Sequence, residues 1–85
     1  MHLYIIKSQI NDKYYIGVSN NVAKRLKQHN TQKEKSTKSG APWTLVYIEK
    51  YDSRGNAMIR ERFIKKQKSH KWIDRLIEAG SLAQR

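Results

Sequence analysis

The sequence predicts an α+β fold: a three-stranded antiparallel sheet flanked by helices, in the order ββαβαα. Three observations predict it. Short runs at residues 3–7, 13–19 and 43–51 are rich in β-branched and aromatic side chains and are set off by turn and loop residues. Segments 21–32, 54–68 and 70–79 repeat apolar residues at helical spacing. Two strands precede the first helix and two helices follow the last strand, an order that suits α+β and not a regular βαβ alternation.

The first run, Leu3-Tyr4-Ile5-Ile6-Lys7, alternates poorly, as a buried strand does. Residues 8–12 (Ser-Gln-Ile-Asn-Asp) carry turn formers, so the first two strands form an antiparallel hairpin. Asn20 or Asn21 caps the first helix by accepting a backbone N–H. Val22, Ala23 and Leu26 set its apolar stripe, with Lys24, Lys27 and Gln28 facing out. Residues 31–42 are polar, lysine-rich and glycine-containing, the composition of a mobile loop. The third strand is the clearest in the chain. Ser53 caps the second helix, in which Gly55 costs about 1 kcal/mol relative to alanine. Ser69 caps the third, whose stripe is Trp72, Ile73, Leu76 and Ile77 and whose stop is Gly80. Residues 81–85 are expected to form a disordered tail, leaving 1–80 as one domain.

A domain this short buries only about 60–65% of its unfolded surface, so each core side chain matters. Cysteine is absent, which rules out disulfide or zinc-thiolate staples and is compatible with a cytoplasmic protein. The amino terminus has an apolar run of only four residues and reads as a strand, not as a signal peptide or a membrane span. Lys and Arg number 18 against 7 Asp and Glu, a net charge of +11. Such density on a small body points to a polyanionic partner, usually nucleic acid. An acidic membrane is disfavoured because no strongly apolar helix face is present to enter lipid.

Four features carry candidate chemistry. Tyr4 and Tyr15 lie on the two hairpin strands, close enough to meet across the sheet. Gly17 stands inside the second strand, where glycine weakens a sheet unless something approaches the backbone closely. Arg25 and His29 are four apart on the first helix and share a face. Glu61 projects on the apolar side of the second helix, between Ala57 and Met58 and near Ile64, where an ionised carboxylate needs a partner or a metal. Each has a plain alternative: strand packing for the tyrosines, a bulge for Gly17, a solvated face for Arg25 and His29. For Glu61 it is an ion pair with Arg25, Arg60 or Lys65.

Taken in order, the runs HLYIIKS, KYYIG and KRLKQH, with a later helical glutamate, resemble the GIY-YIG nuclease core. The resemblance covers residues 2–78, and the segment APWTLVYIEKYDSRGNAMIRERFIKK looks like the compact stand-alone bacterial branch related to the UvrC-type excision nuclease module. His2 stands where the first motif has glycine, and the late asparagine of longer members has no counterpart after Glu61. The resemblance implies a metal-dependent, structure-selective or weakly specific endonuclease with a role in DNA repair, acting on DNA in preference to RNA. It carries over to Tyr4, Tyr15, Gly17, Arg25, His29 and Glu61. It implies one Mg²⁺ or Mn²⁺ held by Glu61, phosphate oxygens met by Arg25, and a proton taken by a Tyr4 or Tyr15 network assisted by His29. A free phenol titrates near 10, so such a base needs help at neutral pH.

Basic residues at 24–38 and 54–75, among them Lys24, Lys27, Arg60, Lys65 and Lys66, are expected to hold the phosphate backbone without reading sequence. A partner protein would then supply specificity. The alternative is a basic nucleic-acid-binding module that keeps the fold and catalyses weakly.

Overall fold

A computed structural model describes residues 1–31 and 35–80. The expected tail at 81–85 lies outside the described residues, as do Lys33 and Glu34 of the first basic segment. The elements are β1 (His2–Ser8), β2 (Tyr14–Ser19), α1 (Val22–Asn30), β3 (Trp43–Lys50), α2 (Arg54–Gln67) and α3 (His70–Ala79). This is the α+β architecture and order expected from the sequence. The three caps are Asn21, Ser53 and Ser69, whose side chains accept from the N–H groups of Lys24, Asn56 and Trp72.

The sheet order is β2-β1-β3, antiparallel throughout. β1 is therefore the central strand, and it is covered on both faces. Leu3, Tyr4, Ile5 and Ile6 are all 0% exposed, which explains why this run does not alternate between apolar and polar residues. On one face Leu3, Ile5, Ile16 and Tyr47 pack with Ile64 of α2 and with Trp72, Ile73, Leu76 and Ile77 of α3. On the other, Tyr4, Ile6, Tyr15, Trp43, Leu45 and Ile48 pack with Val22 and Leu26 of α1. The two helical layers thus lie on opposite sides of the sheet, and β2 is an open edge between them.

Residues 35–42 depart from the mobile loop expected over 31–42. Lys35–Gly40 form a 3-10 helix, anchored by buried contacts that composition does not reveal. The Trp43 indole N–H donates to the Thr37 carbonyl at 2.8 Å, and the Ser8 hydroxyl donates to the Gly40 carbonyl at 2.6 Å. The indole lies so close to Gly40 that a Cβ there would stand 2.4 Å from Trp43 Cζ2. Asn30, the last residue of α1, donates to the Trp43 carbonyl at 3.0 Å and accepts its N–H. These bonds tie α1 to the start of β3.

A polar clasp fastens α3 to the hairpin. His70 stacks on Tyr14 with ring centroids 4.5 Å apart, its Nε2 lies 3.1 Å from the Asp12 carbonyl, and its Nδ1 lies 3.3 Å from the Asp74 carboxylate. Tyr14 donates to the second Asp74 oxygen. The Asp12 carbonyl, then the Asp74 charge, raise the His70 pKa above its ordinary value. The Tyr14 hydrogen bond, then the His70 charge, hold the Asp74 carboxyl below its own. A raised histidine adds stability that is complete below its unfolded value and fades as pH climbs through the folded one. A depressed aspartate adds stability above its unfolded value, lost as pH falls through the folded one. The clasp is therefore tightest between the ordinary values of 3.8 and 6.5. Intrinsic-rate-corrected amide exchange in α3 is expected to be slower in that window than at mildly alkaline pH, and His70→Ala to erase the difference.

Candidate active site

The centre of the α1 face is a buried hydrogen-bonded chain. The Tyr4 hydroxyl meets His29 Nε2 at 3.0 Å, and His29 Nδ1 meets the Thr37 hydroxyl at 2.9 Å. Tyr4, His29 and Thr37 are all 0% exposed. Burial of three polar side chains in so small a core is costly unless each is hydrogen-bonded, and here they satisfy one another. Tyr15, half-buried on the edge strand, places its ring 4.7 Å from that of His29 and 6.4 Å from that of Tyr4.

Gly17 makes this arrangement possible. It pairs with Tyr4 across β1 and β2, and the phenol folds over it. A Cβ on Gly17 would stand 2.6 Å from the Tyr4 hydroxyl oxygen and 2.7 Å from Cζ. The expectation that something approaches the backbone closely at this position holds, and the approaching group is a candidate site side chain. Gly17→Ala is expected to push the phenol off His29, lowering stability by about 1–3 kcal/mol through overpacking. The check is thermal or urea unfolding together with loss of the Tyr4–His29 contact in NMR spectra.

Arg25 lies one helical turn before His29 on α1, half-buried, and its Nη1 donates to Gln28 Oε1 at 2.9 Å. The fork of the guanidinium is thus held partly by its own helix. His2, in place of the motif glycine, pairs with Ser19 and Lys50, and its Nδ1 is buried without a hydrogen-bond partner among the described residues.

Glu61 is placed differently. It follows Ala57 and precedes Ile64 on the stripe of α2 that faces the sheet, which leaves its side chain 18% exposed. Ile64, on that stripe, packs on the sheet face opposite to the one that carries Tyr4 and Tyr15. Its carboxylate lies 3.3 Å from Lys65 Nζ, the one ion pair it makes among the described residues. The structure thus brings Tyr4, Tyr15, His29 and Gly17 together, sets Arg25 one turn away, and carries Glu61 on a helix whose Ile64 packs on the other sheet face. No group of three or more His, Cys, Asp or Glu side chains is arranged to hold a metal among the described residues.

Of the expected phosphate contacts, Lys24 and Lys27 are exposed on α1 and line a depression of about 300 Å³ with Gln28 and Thr31. Lys66, with Arg62, lines another on α2 beside Ile59 and Phe63. Lys65 is engaged by Glu61. Arg60 departs from the expected solvent-facing role: its Nε and Nη2 each donate to Glu49 at 3.2 Å. Sequence reading missed this cluster. Glu49 also accepts from Tyr47 and, at 2.6 Å, from Tyr51. Burial pushes the Glu49 carboxyl up, but the two phenols and the guanidinium outweigh it and hold the group below the ordinary carboxylate range. Burial, then the Glu49 contact, push Tyr47 and Tyr51 up to about 12. Thr37 was likewise missed, because a threonine in a lysine-rich loop gives no sign that it will be buried against a histidine.

Comparisons with known proteins show the family of the chain. The family model described as the GIY-YIG catalytic domain matches residues 1–73. The chain is 38% identical over 66 residues to a UPF0213 protein of Clostridium perfringens, covering 76% of this chain and 70% of that one. It is 42% identical over 65 residues to a UPF0213 protein of Staphylococcus haemolyticus, covering 75% and 78%. With a UPF0213 protein of Bacillus licheniformis the identity is 37% over 78 residues, covering 91% and 79%. No solved structure is significantly similar to the chain.

Proposed function

The chain belongs to the GIY-YIG catalytic-domain family, a nuclease superfamily acting on nucleic acid, and from that premise we propose that it is a metal-dependent endonuclease hydrolysing phosphodiesters, in DNA in preference to RNA. The observation that carries the reading is the buried Tyr4–His29 bond at 3.0 Å, set over Gly17 and beside Tyr15. A phenol hydrogen-bonded to an imidazole can shed its proton without ionising freely into solvent, which is what a tyrosine base needs near neutral pH. In this reading a Tyr4–Tyr15 network takes the proton of the attacking water, the fully buried Tyr4 passing it inward with the assistance of His29. Tyr15 borders the same space from the edge strand. Arg25 offers its planar fork to the non-bridging phosphate oxygens, so lysine there is a poor substitute.

Glu61 is the carboxylate that would hold a divalent ion. A single carboxylate completed by waters and phosphate oxygens suits Mg²⁺ or Mn²⁺, hard cations that dehydrate reluctantly. When bound, the ion supplies Lewis-acid stabilisation of charge on the phosphate and leaving oxygen. To take a metal ion, Glu61 has to be released by Lys65. Lys24 and Lys27 on α1 and Arg62 and Lys66 on α2 flank the sheet and supply sequence-independent, salt-sensitive backbone contacts. Such contacts favour selection by shape, as in branched, nicked or single-stranded substrates, with a partner protein free to add specificity.

The Glu61–Lys65 pair at 3.3 Å favours a second reading, a basic binding module whose carboxylate is neutralised. Incubation of labelled duplex, flap, nicked and single-stranded DNA and RNA with millimolar Mg²⁺ or Mn²⁺ separates the two. Products dependent on the metal are expected. Salt-sensitive binding with no product on any substrate would overturn the nuclease reading in favour of the second.

A further inference from the structure

We infer that Thr37 is a positioning residue: its hydroxyl holds His29 in the Nδ1–H tautomer, so that the Nε2 lone pair faces the Tyr4 phenol. The inference deepens the nuclease reading above and rests on it for its catalytic meaning. Both ring nitrogens of His29 are engaged, Nε2 with Tyr4 at 3.0 Å and Nδ1 with Thr37 at 2.9 Å. A neutral imidazole has one donor nitrogen and one acceptor nitrogen. The chain therefore runs one of two ways: phenol to Nε2 with Nδ1–H to Thr37, or Thr37 to Nδ1 with Nε2–H to the phenol. A phenol is a far stronger acid than an aliphatic alcohol, so the first direction pairs the better donor with the imidazole lone pair.

Two further observations make Thr37 the acceptor that completes this direction at Nδ1. Thr37 and His29 are both 0% exposed, so the tautomer is chosen by protein partners. Thr37 is also fixed independently, because its carbonyl accepts the Trp43 indole N–H at 2.8 Å. The hydroxyl is presented to Nδ1 by a 3-10 helix that is itself braced on β3 through Trp43. The consequence is directional. A proton leaving the Tyr4 oxygen has the Nε2 lone pair to receive it, giving an imidazolium whose Nδ1–H stays on Thr37. In the opposite tautomer Nε2 carries a hydrogen and cannot take the phenolic proton at all. Metal-ligating histidines whose second nitrogen is held by an outer partner lose about 10–100-fold in metal affinity or activity when that partner is removed, and a loss of the same order is expected for His29.

Long-range proton–nitrogen NMR spectra of the whole chain, taken where His29 is neutral, read the tautomer directly. The parent and Thr37→Ser are expected to show protonated Nδ1 and bare Nε2, and Thr37→Val to move toward the Nε2–H form. Metal-dependent cutting is expected to fall about 10–100-fold in Thr37→Val, to return in Thr37→Ser, and in the valine variant to rise only toward the pH range of a free phenol. A parent with hydrogen on Nε2 overturns the inference, as does a folded Thr37→Val with an unchanged tautomer. The parent spectrum decides even if Thr37→Val does not fold. It also decides if no substrate is cut, which would overturn the nuclease reading separately.

Discussion

Glu61→Gln is expected to lower Mg²⁺- or Mn²⁺-dependent cutting by about 10²–10³-fold, the loss of several kcal/mol of charge stabilisation that a held ion provides. The fold should be unaffected. Lys65 is 55% exposed, and a surface i,i+4 pair of this kind contributes only about 0.3–0.5 kcal/mol. Affinity for DNA should hold or rise slightly, because removing a negative charge frees Lys65 for phosphate. Single-turnover cutting and a binding titration on the same substrate separate the two quantities. If the variant cuts as fast as the parent, the carboxylate does not hold the ion, and its contact with Lys65 is simply a helix salt bridge.

Tyr4→Phe should be as damaging to cutting and more damaging to the protein. Loss of general-base help is worth about 10²–10⁴ in rate. The same change leaves His29 Nε2 buried without its phenol, at a cost of about 1–3 kcal/mol in stability. Tyr15 offers the contrast. Its ring packs on His29 but is half-buried at the edge, so Tyr15→Phe should unfold at nearly the parent's denaturant midpoint. Urea midpoints and single-turnover rates for both variants show which tyrosine carries the proton. Equal rate losses for both would remove Tyr4 from that role.

Much of this molecule was legible in the chain because its information is local. Asn21, Ser53 and Ser69 cap the helices, and hydroxyl or amide side chains do so through the N–H groups two or three residues ahead. The apolar stripe of α3 and the three β-branched runs name the elements, and the hairpin follows from the turn residues between β1 and β2. Gly17 was legible as a place of close approach, since a strand tolerates glycine mainly there. Tyr4, Tyr15, Arg25, His29 and Glu61 were named by motif, and the motif was enough to place the chain in its family.

Which of those side chains touch was decided only in three dimensions. The sheet order β2-β1-β3 puts β1 in the middle, and successive strand residues point to opposite faces, so Tyr4 looks toward α1 while the helix of Glu61 lies under the other face. No local pattern reports a face that depends on where later helices pack. Thr37 meets His29, and Arg60 closes on Glu49, by the same route: contacts between segments distant in sequence, formed because a buried polar atom must find a partner from whatever the fold brings near. Composition assigned Arg60 to solvent and Thr37 to a loose loop. Burial, which is a property of the packed whole, assigned them otherwise.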